Sequence, residues 1–125
     1  MRSVGFKVFI VTICALLLTS NTPAMAHIAL VSSTPRNGAT IHNSPETLLL
    51  NFTEDLAQID GKSINMMSLI GPSNIRVKLD SIRVMKSRLS AKPFAPLPIG
   101  RYEIRYRVVA EDGHRITGKV NFSIK

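Results

Sequence analysis

The 125-residue sequence has no tryptophan, one cysteine, two tyrosines and five phenylalanines. The lone thiol, Cys14, falls in an apolar run near the N-terminus. No internal disulfide or thiolate metal site is therefore available downstream of it. The shortage of aromatics leaves little for stacking on nucleic acid bases or sugars. Lysine and arginine outnumber aspartate and glutamate 16 to 8, a formal net charge of +8. The basic residues form no cluster and largely alternate with apolar ones, the pattern of solvated strand faces, so no nucleic acid partner is expected. The chain also lacks a repeat, a low-complexity tract, a flexible linker and any amphipathic helical stretch longer than two turns, which argues for a single domain without a helical core.

Long hydrophobic runs are missing as well. The longest, Val8 to Leu18, has about 11 residues, against roughly 20 for a membrane-spanning helix. Arg2 and Lys7 precede it, and the more polar Thr19 to Ala26 follows it, ending in the small-x-small triplet Ala24-Met25-Ala26. This order is that of a cleavable secretory signal. Ile13 before Cys14 is too large for a lipoprotein signal, so no lipid anchor is expected. Cleavage after Ala26 would leave residues 27–125 as one exported domain with His27 first. A histidine in that place has a free α-amine beside its imidazole Nδ1, and the two can grip one metal ion as a chelate ring.

Residues 27–125 read as all-β. In Arg101 to Val109, Tyr102, Ile104, Tyr106 and Val108 alternate with Arg101, Glu103, Arg105 and Arg107. Strict alternation is the mark of a half-buried strand. Lys119 to Lys125 repeats it with Val120, Phe122 and Ile124. Leu48, Leu50 and Phe52 alternate, as do Ile75, Val77 and Leu79, and Ser63 to Leu69 is a weaker candidate. Thr34-Pro35-Arg36-Asn37-Gly38, Asn43-Ser44-Pro45, Asp60-Gly61 and Gly71-Pro72 read as turns. Pro93, Pro96, Pro98 and Gly100 make a stiff connector. Short strands at this spacing predict a small Greek-key β-sandwich or barrel.

Three histidines follow the signal: His27, His42 and His114. Asp112-Gly113-His114 closes the strongest strand. In extended backbone, residues two apart share a face, so Asp112 and His114 could form half of a metal site or a hydrogen-bonded pair at a strand end. His27 adds two nitrogens to the His114 nitrogen and the Asp112 oxygen. A nitrogen-rich, near-planar set of this kind suits Cu(II). The amine must lose its proton to bind, so the ion competes with protons near neutral pH.

The motifs, in order, resemble the CopC family of periplasmic copper-resistance proteins. The resemblance starts with HIALVSSTPRNGA from His27. It continues at Asn51-Phe52-Thr53-Glu54, similar to the family's Phe-Ser-Glu, and at Gly100-Arg101-Tyr102. It ends with YRVVAEDGHRITGKVNFSIK, similar to the family's W-R-V-V-S-x-D-x-H-x-x-x-G close. It covers essentially all of residues 27–125. It implies an Ig-like or cupredoxin-like Greek-key sandwich that binds one Cu(II) ion in the periplasm. By motif, the ligands are the His27 amine and imidazole, Asp112 and His114. Glu54 matches the family's acidic residue near the copper, as a weak ligand or an outer-shell partner, or is simply a solvated strand-end carboxylate. The implied role is a carrier or buffer in copper resistance or homeostasis, monomeric, with an inner-membrane copper transporter of the CopD type as its partner.

Two departures narrow this. Some members carry a methionine-rich loop that binds Cu(I). Here Met66 and Met67 are adjacent and Met85 is well downstream, so strand alternation sends the pair to opposite faces. A Cu(I) thioether site is not expected. Tyr106 stands where the family commonly has Trp, and reads as a core aromatic. His42 reads as a solvated loop residue. Arg101, Arg105 and Arg107 read as a solvated face, or a docking surface for a membrane-bound copper partner. Two other classes remain open: a copper-dependent oxidative enzyme built on an N-terminal histidine chelate, and a metal-free β-sandwich interaction module.

Overall fold

The computed structural model describes residues 27–125. The expected signal, residues 1–26, and Cys14 within it lie outside the described residues. Eleven strands follow in order: β1 (Leu30–Thr34), β2 (Ala39–Ile41), β3 (Leu48–Phe52), β4 (Gln58–Ile59), β5 (Lys62–Ser63), β6 (Met66–Ile70), β7 (Arg76–Val77), β8 (Leu79–Met85), β9 (Arg88–Pro93), β10 (Gly100–Val109) and β11 (Arg115–Ile124). A single 3₁₀ turn, Pro72–Asn74, is the one helical element among the described residues.

Two sheets make the expected sandwich. One runs β1-β3-β9-β8, the other β2-β11-β10-β6-β7, and β4-β5 form a separate ribbon turned by Asp60-Gly61. The inner faces come from the alternation read in the sequence. Leu48, Leu50 and Phe52 of β3 meet Tyr102, Ile104 and Val108 of β10 and Val120, Phe122 and Ile124 of β11 in one core, joined by Leu69 and Leu89. Tyr102 stacks on Phe122 at 5.3 Å between ring centroids. The outward arginines of β10 are exposed, as expected.

The long pairing of β10 with β11, from Gly100↔Ile124 to Val109↔Arg115, is the spine of the fold. β2 lies parallel to the end of β11, which ties the two ends of the domain together. The Ile75, Val77, Leu79 alternation belongs to two strands, not one. The chain leaves the five-stranded sheet after Val77 and enters the four-stranded sheet at Leu79. Val77 and Leu79 pack against the same core from the two sheets, so the crossing leaves no mark on their alternation, whereas Ile75 precedes β7 and is exposed, against what its place in the pattern suggested.

Tyr106 is half-buried and meets Phe52 edge to face at 5.4 Å. Gly118, opposite it on β11, makes room for this ring: a β-carbon there would overlap the Tyr106 hydroxyl and Cζ.

Candidate metal centre

One pole of the sandwich gathers the segment before β1, the segment after β3 and the β10–β11 turn. His27 is exposed, but Ile28 beside it is buried and anchors the segment in the core. Thr53 fixes the backbone next to it. Its Oγ1 accepts the Ala29 N–H at 2.9 Å and its own N–H donates to the Ala29 carbonyl at 2.9 Å. The Thr53 hydroxyl also reaches the His27 carbonyl at 3.5 Å. His27 is therefore placed by its neighbours' packing and by β1–β3 pairing, not by contacts of its own ring with the core.

His114 arrives from the other side. The N–H of Gly113 donates to the Ala110 carbonyl at 2.9 Å, and the N–H of Ala110 to the His114 carbonyl at 2.8 Å. Gly113 has a φ of +91°, a left-handed conformation that glycine takes without strain. The expectation of extended backbone at Asp112 and His114 is thus corrected: a tight turn, not a strand, brings them together. Asp112 then grips His114 twice. Oδ1 accepts its backbone N–H at 3.0 Å, and Oδ2 lies 2.8 Å from its Nδ1. These two hydrogen bonds hold the Asp112 carboxyl below the usual aspartate range. The pair is partly solvated, with side chains 44% and 38% exposed.

The two imidazoles meet across the pole. Their centroids are 5.9 Å apart and their planes cross at 83°. Two imidazoles on one ion, with bonds of about 2 Å, have centroids about 4.5 Å apart when cis and about 6.3 Å when trans. The observed spacing falls inside that interval. Two donor atoms cis on one ion at such bond lengths stand about 2.8 Å apart. His114 Nδ1 and Asp112 Oδ2 have that separation, so both atoms could reach one ion once the ring turns its nitrogen away from the carboxylate.

Glu54 is half-buried on the segment after Thr53. That segment is pinned to the β10–β11 turn by Glu111 N–H to the Asp55 carbonyl at 3.1 Å and Ala57 N–H to the Val109 carbonyl at 2.8 Å. Among the described residues, no three His, Asp or Glu side chains group closely enough to hold an ion alone. His27 and His114 approach each other and Asp112 holds His114, but the three side chains do not form such a group. His42 is exposed in the loop after β2. Met66 is 58% exposed and Met67 5%, on opposite faces of β6 as expected.

Sequence reasoning missed two positioning residues. Thr53 holds the His27 segment. Asn65, buried, donates to the Ala57 carbonyl at 2.9 Å and accepts the Val109 N–H at 2.8 Å, locking the Glu54 segment to the end of β10. The readable signal for Asn65 was a polar residue opening an otherwise apolar strand.

Fold and site together define a class: a small two-sheet sandwich with a histidine pair and a carboxylate at one pole. The chain belongs to the CopC domain family, whose model matches residues 30–125. It is 36% identical over 107 residues to copper resistance protein C of Xanthomonas campestris pv. juglandis, covering 82% of this chain and 83% of that protein. The crystal structure of PcoC, a methionine-rich copper resistance protein from Escherichia coli, superposes with a TM-score of 0.67 at 30% identity, over 80% of this chain and all of that one. CopC from Methylosinus trichosporium OB3b shares the fold, with a TM-score of 0.68 at 22% identity, over 79% of this chain and 94% of that one.

Proposed function

We propose that this chain is a periplasmic Cu(II)-binding protein, exported by cleavage after Ala26, that carries or buffers copper in resistance or homeostasis. The amine and imidazole of His27, the His114 imidazole and the Asp112 carboxylate take one Cu(II) ion. Glu54 serves from the neighbouring segment, as a weak ligand or as a hydrogen-bond partner of the amine. The activity is binding and exchange, not turnover. A monomer handing copper to or from an inner-membrane transporter of the CopD type fits this reading.

The approach of the His27 and His114 rings to 5.9 Å is the observation that supports it most. They come from opposite ends of the described chain, and neither ring is needed to fill the core. The names of the relatives, copper resistance proteins, point to the same ion. Histidine nitrogens with one carboxylate and no sulfur favour the oxidised ion. Binding must release the amine proton, so occupancy rises with pH.

The test uses the exported protein. Intact mass should show that it begins at His27. A Cu(II) titration is then repeated on a form with one residue added before His27. Removing the amine from the chelate is expected to weaken binding by more than about a hundredfold. Equal affinity in the two forms would refute a site built on the amine.

A further inference from the structure

The outer face of the five-stranded sheet carries far more positive than negative charge. Arg76 of β7, Arg101, Arg105 and Arg107 of β10, and Arg115 and Lys119 of β11 are all exposed there. The strand pairings put them on one surface: Arg105 stands opposite Lys119, Arg107 opposite Thr117, and Arg76 beside Ile70. Among these strands the face has one carboxylate, Glu103, which is already paired with Arg105. Like charges facing each other across a strand pair oppose folding. Five of the six cations are arginines, whose planar forks suit phosphate oxygens.

The face is not uniformly polar at its edge. Ile75, Phe94 and Ile99 are 64%, 62% and 73% exposed. Pro72, Pro96 and Pro98 stiffen the loops beside them, and Lys78 sits over the Phe94 ring at 4.2 Å. The segment Gly71–Ile75 borders both regions. Its Asn74 lines a groove with Arg101 and Glu103, while its Pro72 and Ile75 line an apolar groove with Phe94. Large apolar side chains in water beside a basic surface match the two demands of a membrane interface: burial of hydrocarbon and neutralisation of headgroups.

We infer that this face docks on an anionic phospholipid bilayer, with the arginines on lipid phosphates and Ile75, Phe94 and Ile99 in the headgroup–acyl boundary. An acidic protein would also meet the charge, but it gives no role to three exposed apolar residues on stiff loops. Arg76, Arg105, Arg107 and Lys119 line one open groove, and Arg101 and Arg115 extend the charge beyond it along the sheet, so the cations outrun any single small anion and suit a plane of many phosphates. The apolar edge lies at the far end of β10 from the candidate metal centre, roughly 30 Å away for a strand of this length, while Arg107 and Arg115 lie at the near end.

Vesicle sedimentation tests it. Protein from an exporting host is checked by intact mass, so that every variant has the same N-terminus. The parent is expected to bind vesicles containing phosphatidylglycerol at low ionic strength, and to leave pure phosphatidylcholine vesicles and high-salt samples unbound. The triple variant Arg76→Gln, Arg107→Gln, Arg115→Gln should bind about a hundredfold more weakly, at about fivefold per charge. Phe94→Trp gives the exported domain its one tryptophan, and its emission should shift to the blue on the anionic vesicles. No binding at low salt, equal binding by the triple variant, or an unmoved emission overturns the proposal. Equal capture by soluble polyglutamate with the emission unmoved would point to an acidic protein instead, and overturns it too.

Discussion

His114 Nδ1 lies 2.8 Å from Asp112 Oδ2, while the other oxygen of the same carboxylate accepts the His114 backbone N–H. One short side chain thus sets both the turn and the ring. Because these bonds favour the ionised carboxyl, its value is lowered in the folded protein. Its contribution is present above the ordinary aspartate range and is lost as pH falls through the lowered value. In metal-free protein, an NMR titration of the Asp112 side-chain carbon should show a midpoint below the ordinary value of about 3.9. A midpoint at or above it would remove the double contact.

Asp112→Asn separates orientation from ligation. The amide oxygen can still accept from His114 Nδ1, but it is a neutral and poorer donor to an ion. If Asp112 binds Cu(II), affinity falls by more than about a hundredfold. A loss of less than about tenfold would assign the carboxylate an orienting role only, with His114 binding through Nε2.

Ile28→Ala should cost about 3 kcal/mol of stability, because Ile28 is 3% exposed and part of the core. It should also weaken Cu(II) binding, since His27 has no ring contact with the core to replace that anchor. Chemical denaturation and a copper titration on the same sample measure both. Unchanged affinity in a destabilised protein would show that Thr53 alone holds the segment.

Gly118→Ala forces Tyr106 to move, and should destabilise the domain by about 2 kcal/mol. In a Tyr106→Leu background the same substitution should cost much less. A double-mutant cycle reads the difference, and additive effects would place the clash elsewhere.

The long central strands were legible in the sequence because their inner faces are apolar and their outer faces charged, as in Tyr102 to Val108 against Arg101 to Arg107. β1 was not, since of its Leu-Val-Ser-Ser-Thr only Ser33 is buried and Val31 is 65% exposed. Such an edge strand is held by ladder bonds to β3, which leave no pattern of their own. The split between β7 and β8 was hidden for a different reason: one core receives side chains from both sheets. At the candidate centre, Asp112 and His114 were readable as neighbours from their spacing, but the tight turn through Gly113 that joins them was not. Thr53 was not, because its role is to bond a backbone 24 residues upstream.

The candidate centre joins the first described residue to the last hairpin. Its two rings face each other only after β1 has paired with β3 and β11 has closed on β10. A partly made or unfolded chain holds the same histidines but not the pair. Held this way, the spacing of His27 and His114 reports on completion of the fold, and a chain emerging N-terminus first would bring the two rings together only once its last hairpin had closed.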